Sequence, residues 1–302
     1  VLNALPGERT RVVATRAEFD SIDAVLKVYA HKGRASVRWV ETDETGLVRA
    51  GDVLLAIDGG ADLVVISAVC FATGQLIDRL GEIIERAHDR GALVLVDAYH
   101  AAGAVPLGFD ALGCDFMIGG SYKYTRGGPG ACWLAVHPRH LRDAGEPARD
   151  ALFTLDTGWF AKEDPFAYGR GETPRLAAGG DAWLESTPPV VTFYQARSGL
   201  ALTLAIGVER LRAYTLAQQA ALIAALADAG VRTRAIEPRG AYVLVPVDDG
   251  PAAIDAMARA GVASDARPCP SGNGWYARLC PDLLTTGEEI TQAAARIARA
   301  IR

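Results

Sequence analysis

Residues Ala92 to Gly130 read ALVLVDAYHAAGAVPLGFDALGCDFMIGGSYKYTRGGPG, and the rest of the chain takes its place around them. The run Ala92 to Val96 is apolar, rich in Val and Leu and too short for a helix, which predicts a buried strand of a parallel sheet. It ends in Asp97, and a carboxylate there stands in the crevice beyond the carboxyl edge, where open α/β sheets place their ligands. A second short strand, Asp115 to Ile118, runs into Gly119-Gly120-Ser121-Tyr122-Lys123. An acid and a lysine therefore emerge at neighbouring strand ends.

Lysine is scarce in this chain, standing only at Lys27, Lys32, Lys123 and Lys162. Lys27 and Lys32 fall on a polar helix face, whereas Lys123 lies between two tyrosines in a glycine-rich loop after an apolar strand. Burial would depress its pKa, because desolvation disfavours the ammonium, and would free a nucleophilic amine for a carbonyl. Pyridoxal phosphate (PLP) needs such an amine for its imine and a carboxylate against its ring nitrogen. Lys123 and Asp97 fit these two roles; the plain alternative is an Asp that caps the next helix and a Lys that reaches solvent.

The segments Asp97-x-x-His100, Gly103-Ala-Val-Pro106 and above all Tyr122-Lys-Tyr-x-x-Gly-Gly-Pro-Gly130 resemble kynureninase, within the class V aminotransferase group of fold-type I PLP enzymes. The resemblance extends, more weakly, over essentially all 302 residues. It implies an aspartate aminotransferase-like α/β fold with a mostly parallel sheet, a large PLP-binding domain over 1–200 and a small α+β domain over 201–302. It also implies a homodimer with a shared active site.

Composition sets the outer bounds. A chain of this length can hold one large α/β domain and a smaller one. Half the residues are hydrophobic and 22% are charged, with a formal charge of −5 and a pI near 5.6. That surface attracts neither nucleic acid nor an anionic membrane. The five cysteines, Cys70, Cys114, Cys132, Cys269 and Cys280, are odd in number and lack C-x-x-C spacing. Neither a disulfide framework nor a zinc site is indicated, and a reduced, cytoplasmic setting is the simplest expectation. No apolar run reaches the roughly 18–20 residues of a membrane span. The opening Val1-Leu-Asn-Ala-Leu-Pro6 reads like the tail of a helix without its start, and the resemblance would place a phosphate-binding helix start and an N-terminal arm before it.

Along the chain, strands are predicted at Arg11–Thr15, Val37–Glu41 and Leu63–Ser67, and helices at Ser21–Tyr29, Val48–Ile57 and Gln75–Arg90. Alternating β and α implies a parallel sheet covered on both faces. Ala131 to Val136 should return as an antiparallel or edge strand. Patterning lapses from Asp143 to Thr187, which suits a long active-site or interface segment. Helix follows from Val190 to about Leu226 with a break at Gly207. The small domain should contain strands at Tyr242–Val247 and Tyr276–Leu279, and helices at Ala252–Ala260 and Gly287–Ile301.

Further site residues come from the resemblance. Glu18-Phe-Asp-Ser21 is similar to the family's E-F-P-S, which makes Phe19 the ring that stacks on PLP; a staple or core Phe is the alternative. Ser67, opening SAVCFATG, would sit near the cofactor. His100, three residues after Asp97, would share its side on a first helical turn and either bond that carboxylate or cover the ring. Tyr122 would donate to the phosphate and relay protons. Trp159, in Gly158-Trp-Phe160, would hold the phosphate end, although Ala161-Lys162 replaces the family's Gly-His. Thr187, in Ser186-Thr-Pro-Pro189, would reach the opposite subunit's phosphate, or else cap the next helix. Arg278, in Arg278-Leu-Cys-Pro281, would clamp the substrate carboxylate, as a planar bidentate guanidinium suits.

The implied reaction is hydrolytic Cβ–Cγ cleavage of kynurenine or 3-hydroxykynurenine to alanine and an anthranilate. Two other readings stay open: another PLP reaction on the same scaffold (a cysteine desulfurase-like lyase using Cys269, an epimerase or a transaminase), or a non-catalytic PLP-fold protein. No metal is called for.

Overall fold

The computed structural model describes residues 1–143, 151–234, 236–270, 272 and 274–301. Residues 144–150 of the irregular segment and Ser271 beside Cys269 lie outside the described residues.

The first half builds a six-stranded sheet from β1 (Thr10–Thr15), β2 (Ala35–Val40), β3 (Leu63–Ser67), β4 (Leu93–Asp97), β5 (Phe116–Gly120) and β6 (Cys132–Val136), in the order β2-β1-β3-β4-β5-β6. The first five are parallel and β6 is antiparallel to β5. Ser67 and Asp97 face each other in register, and Asp97 in turn faces Ile118. The carboxyl ends of β3, β4 and β5 therefore finish at one edge, which is what aligns the acid and the lysine loop.

Side chains alternate across the strands. Val64, Ile66, Val94 and Val96 enter one core with α2 (Ala50–Asp58) and α3 (Leu80–Asp89), led by Val53, Ile57, Ile83 and Ile84. On the other face Val12, Ala14, Leu63 and Val65 meet Leu26 of α1 (Asp20–His31). The two faces are not covered alike, contrary to expectation. A cavity of about 490 Å³ opens over Leu63, Val65, Leu95 and Ile118.

Two helices begin later than their apolar patterns suggest. Gln75 and Leu76 form isolated bridges to Arg239 and Val69, and the Gln75 side chain bonds both backbone groups of Val48, its Oε1 accepting from N at 2.9 Å and its Nε2 donating to O at 2.8 Å. Those tertiary bonds hold 75–79 and 48–49 out of the helices. Asp97 to Ala104 likewise forms successive turns rather than a helix, with Ala101 and Ala102 N–H both donating to Ala98 O. Between them and β5 stands the single turn α4 (Phe109–Leu112).

Beyond the irregular segment, α5 (Val190–Ile206) and α6 (Val208–Asp228) meet at Gly207, whose φ of 90° ends one helix and starts the next. A second sheet, in the order β7-β9-β8, joins β7 (Val243–Val247), β8 (Asp265–Pro268) and β9 (Trp275–Leu279) in antiparallel fashion. Its core, Val243, Val245, Met257, Ala277, Leu279, Ile290 and Ile297, packs with Leu222 and Leu226 under α7 (Gly250–Arg259) and α8 (Gly287–Ala300). Strand β8 escaped prediction because Asp265-Ala-Arg-Pro268 carries one apolar side chain in four.

The sheets are tied where the site lies. Tyr242, just before β7, donates its hydroxyl to Phe71 O at 2.6 Å, and Arg278 of β9 donates to the same carbonyl. Among the described residues no helix is long and apolar enough to cross a membrane.

Candidate active site

Asp97 is 6% exposed at the buried end of β4, on the wall of the cavity over the sheet. Its Oδ1 accepts the Tyr99 amide at 2.7 Å. Burial raises its pKa; the Tyr99 hydrogen bond and the positive charge of Lys123 pull the other way. Lys123 is half-buried in the loop after β5, and desolvation, followed by the charge of Arg278, lowers its pKa. Its Nζ lies 5.7 Å from the ring centres of both Phe19 and Tyr122.

His100 is 9% exposed, and its Nε2 lies 2.7 Å from Lys123 Nζ. It does not share a helical turn with Asp97, as the spacing suggested, because 98–104 is a run of turns. Burial, then the charge of Lys123, pushes its pKa down to about 3, so the imidazole is neutral. The other ring nitrogen, Nδ1, is buried and has no hydrogen-bond partner among the described residues, and a buried polar atom left unpaired is costly.

The loop that carries Lys123 is shaped by close approaches. Gly103 has φ 81°, and a Cβ there would stand 2.8 Å from Tyr124 O. Gly127 would push a Cβ to 2.9 Å from Ala196 Cα, and Gly199 of α5 would drive one into the backbone of Thr125 and Arg126. The Gly-Gly-Pro-Gly run thus lets α5 lie against the loop and brace it.

Lys123 and His100 line two cavities at once. The first, already described over the sheet, also takes Phe19, Tyr99 and Tyr122 into its wall. The second, about 510 Å³, lies between the sheets and is lined by Tyr124, Arg126, Tyr242, Asp265, Arg278 and Cys280, among others. Arg278 is held firmly there: its Nε donates to Asp265 Oδ1 at 2.6 Å, a second nitrogen pairs with Oδ2, and its carbon lies 5.0 Å from the Tyr242 ring centre. One edge of the guanidinium is thereby taken by Asp265, and its remaining terminal nitrogen reaches the Phe71 carbonyl.

Of the residues singled out in the sequence, Asp97, Lys123, His100, Tyr122 and Phe19 come together at the first cavity, and Arg278 faces Lys123 across the second. Ser67 lies beneath, its hydroxyl donated to Glu18 at 2.6 Å. Trp159 and Thr187 line neither cavity. Trp159 packs on Phe160 with ring centres 4.4 Å apart. Thr187 is exposed and caps nothing, since α5 has Pro189 at its N-cap. Cys269 is buried beside Tyr276 and lines neither cavity. Cys280 does line the second cavity, but desolvation pushes its thiol pKa up to about 11. Glu18, Asp265 and Tyr242 belong to the site and were not singled out. Glu18 stands inside a motif quoted above, and that position was its available signal.

A mostly parallel sheet presenting a buried carboxylate and a loop lysine at its carboxyl edge defines a fold-type I PLP protein. The chain belongs to the aminotransferase class V family, whose profile matches residues 1–250. The kynureninase of Geobacillus thermodenitrificans is 30% identical over 217 residues, 70% of this chain and 48% of that protein. That of Salinispora tropica is 31% identical over 220 residues, 68% of this chain and 48% of that protein. The chain thus spans about half the length of these curated relatives. Among solved structures, a cystine C–S lyase in complex with cysteine persulfide aligns with a TM-score of 0.82 at 22% identity, covering 99% of this chain and 77% of that one. The cysteine desulfurase of Thermococcus onnurineus NA1 aligns with a TM-score of 0.82 at 17% identity, covering 98% and 74%. These two likenesses show the fold.

The cofactor of this family is pyridoxal phosphate, and the residues present fit it. The buried Asp97, the depressed Lys123 amine, the orphaned His100 Nδ1 and an apolar cavity faced by Phe19 are the polar and apolar partners such a group requires.

Proposed function

We propose that this protein is a PLP-dependent enzyme acting on an amino acid, by kynureninase-like hydrolytic cleavage of a Cβ–Cγ bond that yields alanine and an aromatic acid. The observation that carries the reading is that Lys123 lies between the two cavities, with Asp97 on the cofactor side and Arg278 on the other. When bound, the cofactor supplies an electron sink for a carbanion at Cα. Lys123 would hold the cofactor and serve as the base toward Cα, a role favoured by the lowering of its pKa by burial. Asp97 would stand against the ring nitrogen, and Phe19 would cover the ring. Arg278 takes the substrate carboxylate, which orients the bonds at Cα toward Lys123. His100 Nδ1 pairs with a polar atom of cofactor or substrate, and Tyr122, 45% exposed, stands where it can pass protons to solvent.

The kynurenine assignment rests on the relatives and on the matched motifs. The lyase alternative calls for a reactive thiol, and neither Cys269, buried and outside both cavities, nor Cys280, with its raised pKa, supplies one. Trp159 and Thr187 are assigned to the neighbouring subunit's site in a homodimer. An apolar exposed surface on α5 supports that assembly: Val191 is 79% exposed and Leu204 76%.

The test is an absorbance spectrum of the full-length protein with added PLP, compared with Lys123→Ala, followed by kynurenine or 3-hydroxykynurenine. A visible band lost in the variant, then anthranilate or its hydroxy analogue with alanine, is the expected result. A band without product leaves the cofactor site and overturns the substrate. Cysteine as a parallel substrate, giving alanine and persulfide, would turn the assignment to the lyase reaction.

A further inference from the structure

One buried acid at the sheet edge has no part in the chemistry above. Glu18 follows β1 and is 5% exposed. Thr15 Oγ1 donates to its Oε1 and Ser67 Oγ to its Oε2, each at 2.6 Å. No Lys, Arg or His pairs with it among the described residues. The groups that face it are Thr15 from its own strand, Ser67 from the end of β3, Cys70 from the loop that follows, and Asp97 from the end of β4. Lys123, in the loop after β5, acts on Asp97. Ser67, at the end of the intervening β3, pairs in register with Asp97 and donates to Glu18, so the two carboxylates stand on either side of one strand end.

We propose that Glu18 is a positioning residue for the cofactor site, holding the Ser67 hydroxyl at the end of β3 and setting, by its own charge state, how firmly Asp97 keeps the proton of the cofactor ring nitrogen. The proposal rests on the assignment of Asp97 and Lys123 to the cofactor. Burial pushes the Glu18 pKa up to about 7; the hydroxyls of Ser67 and Thr15 pull against it, and the negative charge of Asp97 adds to the rise. The interaction is mutual, so an ionised Glu18 must make Asp97 a stronger base. Below neutrality Glu18 is neutral and Asp97 carries the only negative charge. Above it a second charge stands behind Asp97 and favours the protonated ring. A carboxylate that merely filled space or tethered Ser67 would not couple to the cofactor in this way.

The test follows the absorption of bound PLP in the full-length protein over about two pH units either side of 7. The wild type is expected to show a step near 7. Glu18→Gln, which keeps hydrogen bonding but cannot ionise, removes that step. Ser67→Ala, which deletes a bond that favours the charged form, moves it to higher pH. A separate readout needs no cofactor: the apo protein loses thermal stability as pH rises from about 4.5 to about 7 and levels off above it, and Glu18→Gln abolishes that dependence. If the band forms but its titration is the same in all three proteins, Glu18 has no such role and the cofactor site stands. If no band forms in the wild type, the site assignment fails and takes this proposal with it. Should Glu18→Gln not fold, the direction of the Ser67→Ala shift decides alone.

Discussion

Arg278 shows how one side chain can be both structural and prepared for substrate. Asp265 is partly buried, which alone would raise its pKa, but hydrogen bonding from Arg278 outweighs burial and holds it below the usual carboxylate range. The pair keeps the guanidinium in one orientation before any substrate arrives, so less freedom is lost on binding. Asp265→Asn keeps the shape and removes the charge. We expect it to raise KM for the amino acid about tenfold, equivalent to about 1.4 kcal/mol, while the PLP absorption band is unchanged. A fall in kcat with KM unaltered would argue that Arg278 does not hold the carboxylate.

At the scale of elements, the lysine loop depends on a helix far away in sequence. Gly199 of α5 touches the backbone after Lys123 so closely that a Cβ cannot be placed without displacement. Gly199→Ala would improve helix propensity yet push α5 away from 125–127, and overpacking of this kind costs about 1–3 kcal/mol. The expected outcome is a lower urea midpoint together with weakened PLP binding. Stabilisation by the gain in propensity would show that the loop yields freely and that α5 does not brace it.

The opposite end of the sheet is secured by a single carboxylate. Asp115 is fully buried and accepts from Arg139, from the Val94 amide and from the rings of His88 and His140. Burial opposes ionisation, but these donors together outweigh it and hold the pKa below 3.8. An acid of this kind stabilises the fold above its unfolded-state pKa, and that contribution is lost as pH falls below about 3.8. Thermal unfolding should show the wild-type midpoint dropping through this range, with Asp115→Asn already low at neutral pH and less sensitive to acid. For the whole molecule, the proposed homodimer and the exposed apolar residues of α5 predict that the wild type sediments as a dimer and that a double Val191→Asp, Leu204→Asp variant sediments as a monomer. A monomeric wild type would remove Trp159 and Thr187 from the shared site.

Much of this was written locally. Strand Leu63–Ser67 matches its prediction residue for residue, because five buried β-formers in a row leave no other choice, and Asp97 and Lys123 were legible because each punctuates such a run. Local pattern failed where distant partners intervene: Gln75 is held by Val48 and Arg239 rather than by a helix, and Asp97-x-x-His100 lies on turns. The sequence by itself determined a parallel α/β sheet with an acid and a scarce lysine at its edge, since hydrophobic burial and strand length act over a few neighbouring residues. Only the tertiary structure decided that His100 meets Lys123, that Asp265 holds Arg278, and that Glu18 lies buried behind Asp97. Those contacts join residues well separated in sequence, as are Glu18 and Ser67, 49 positions apart. Desolvation and charge coupling, which set what such groups do, exist only once the chain has folded.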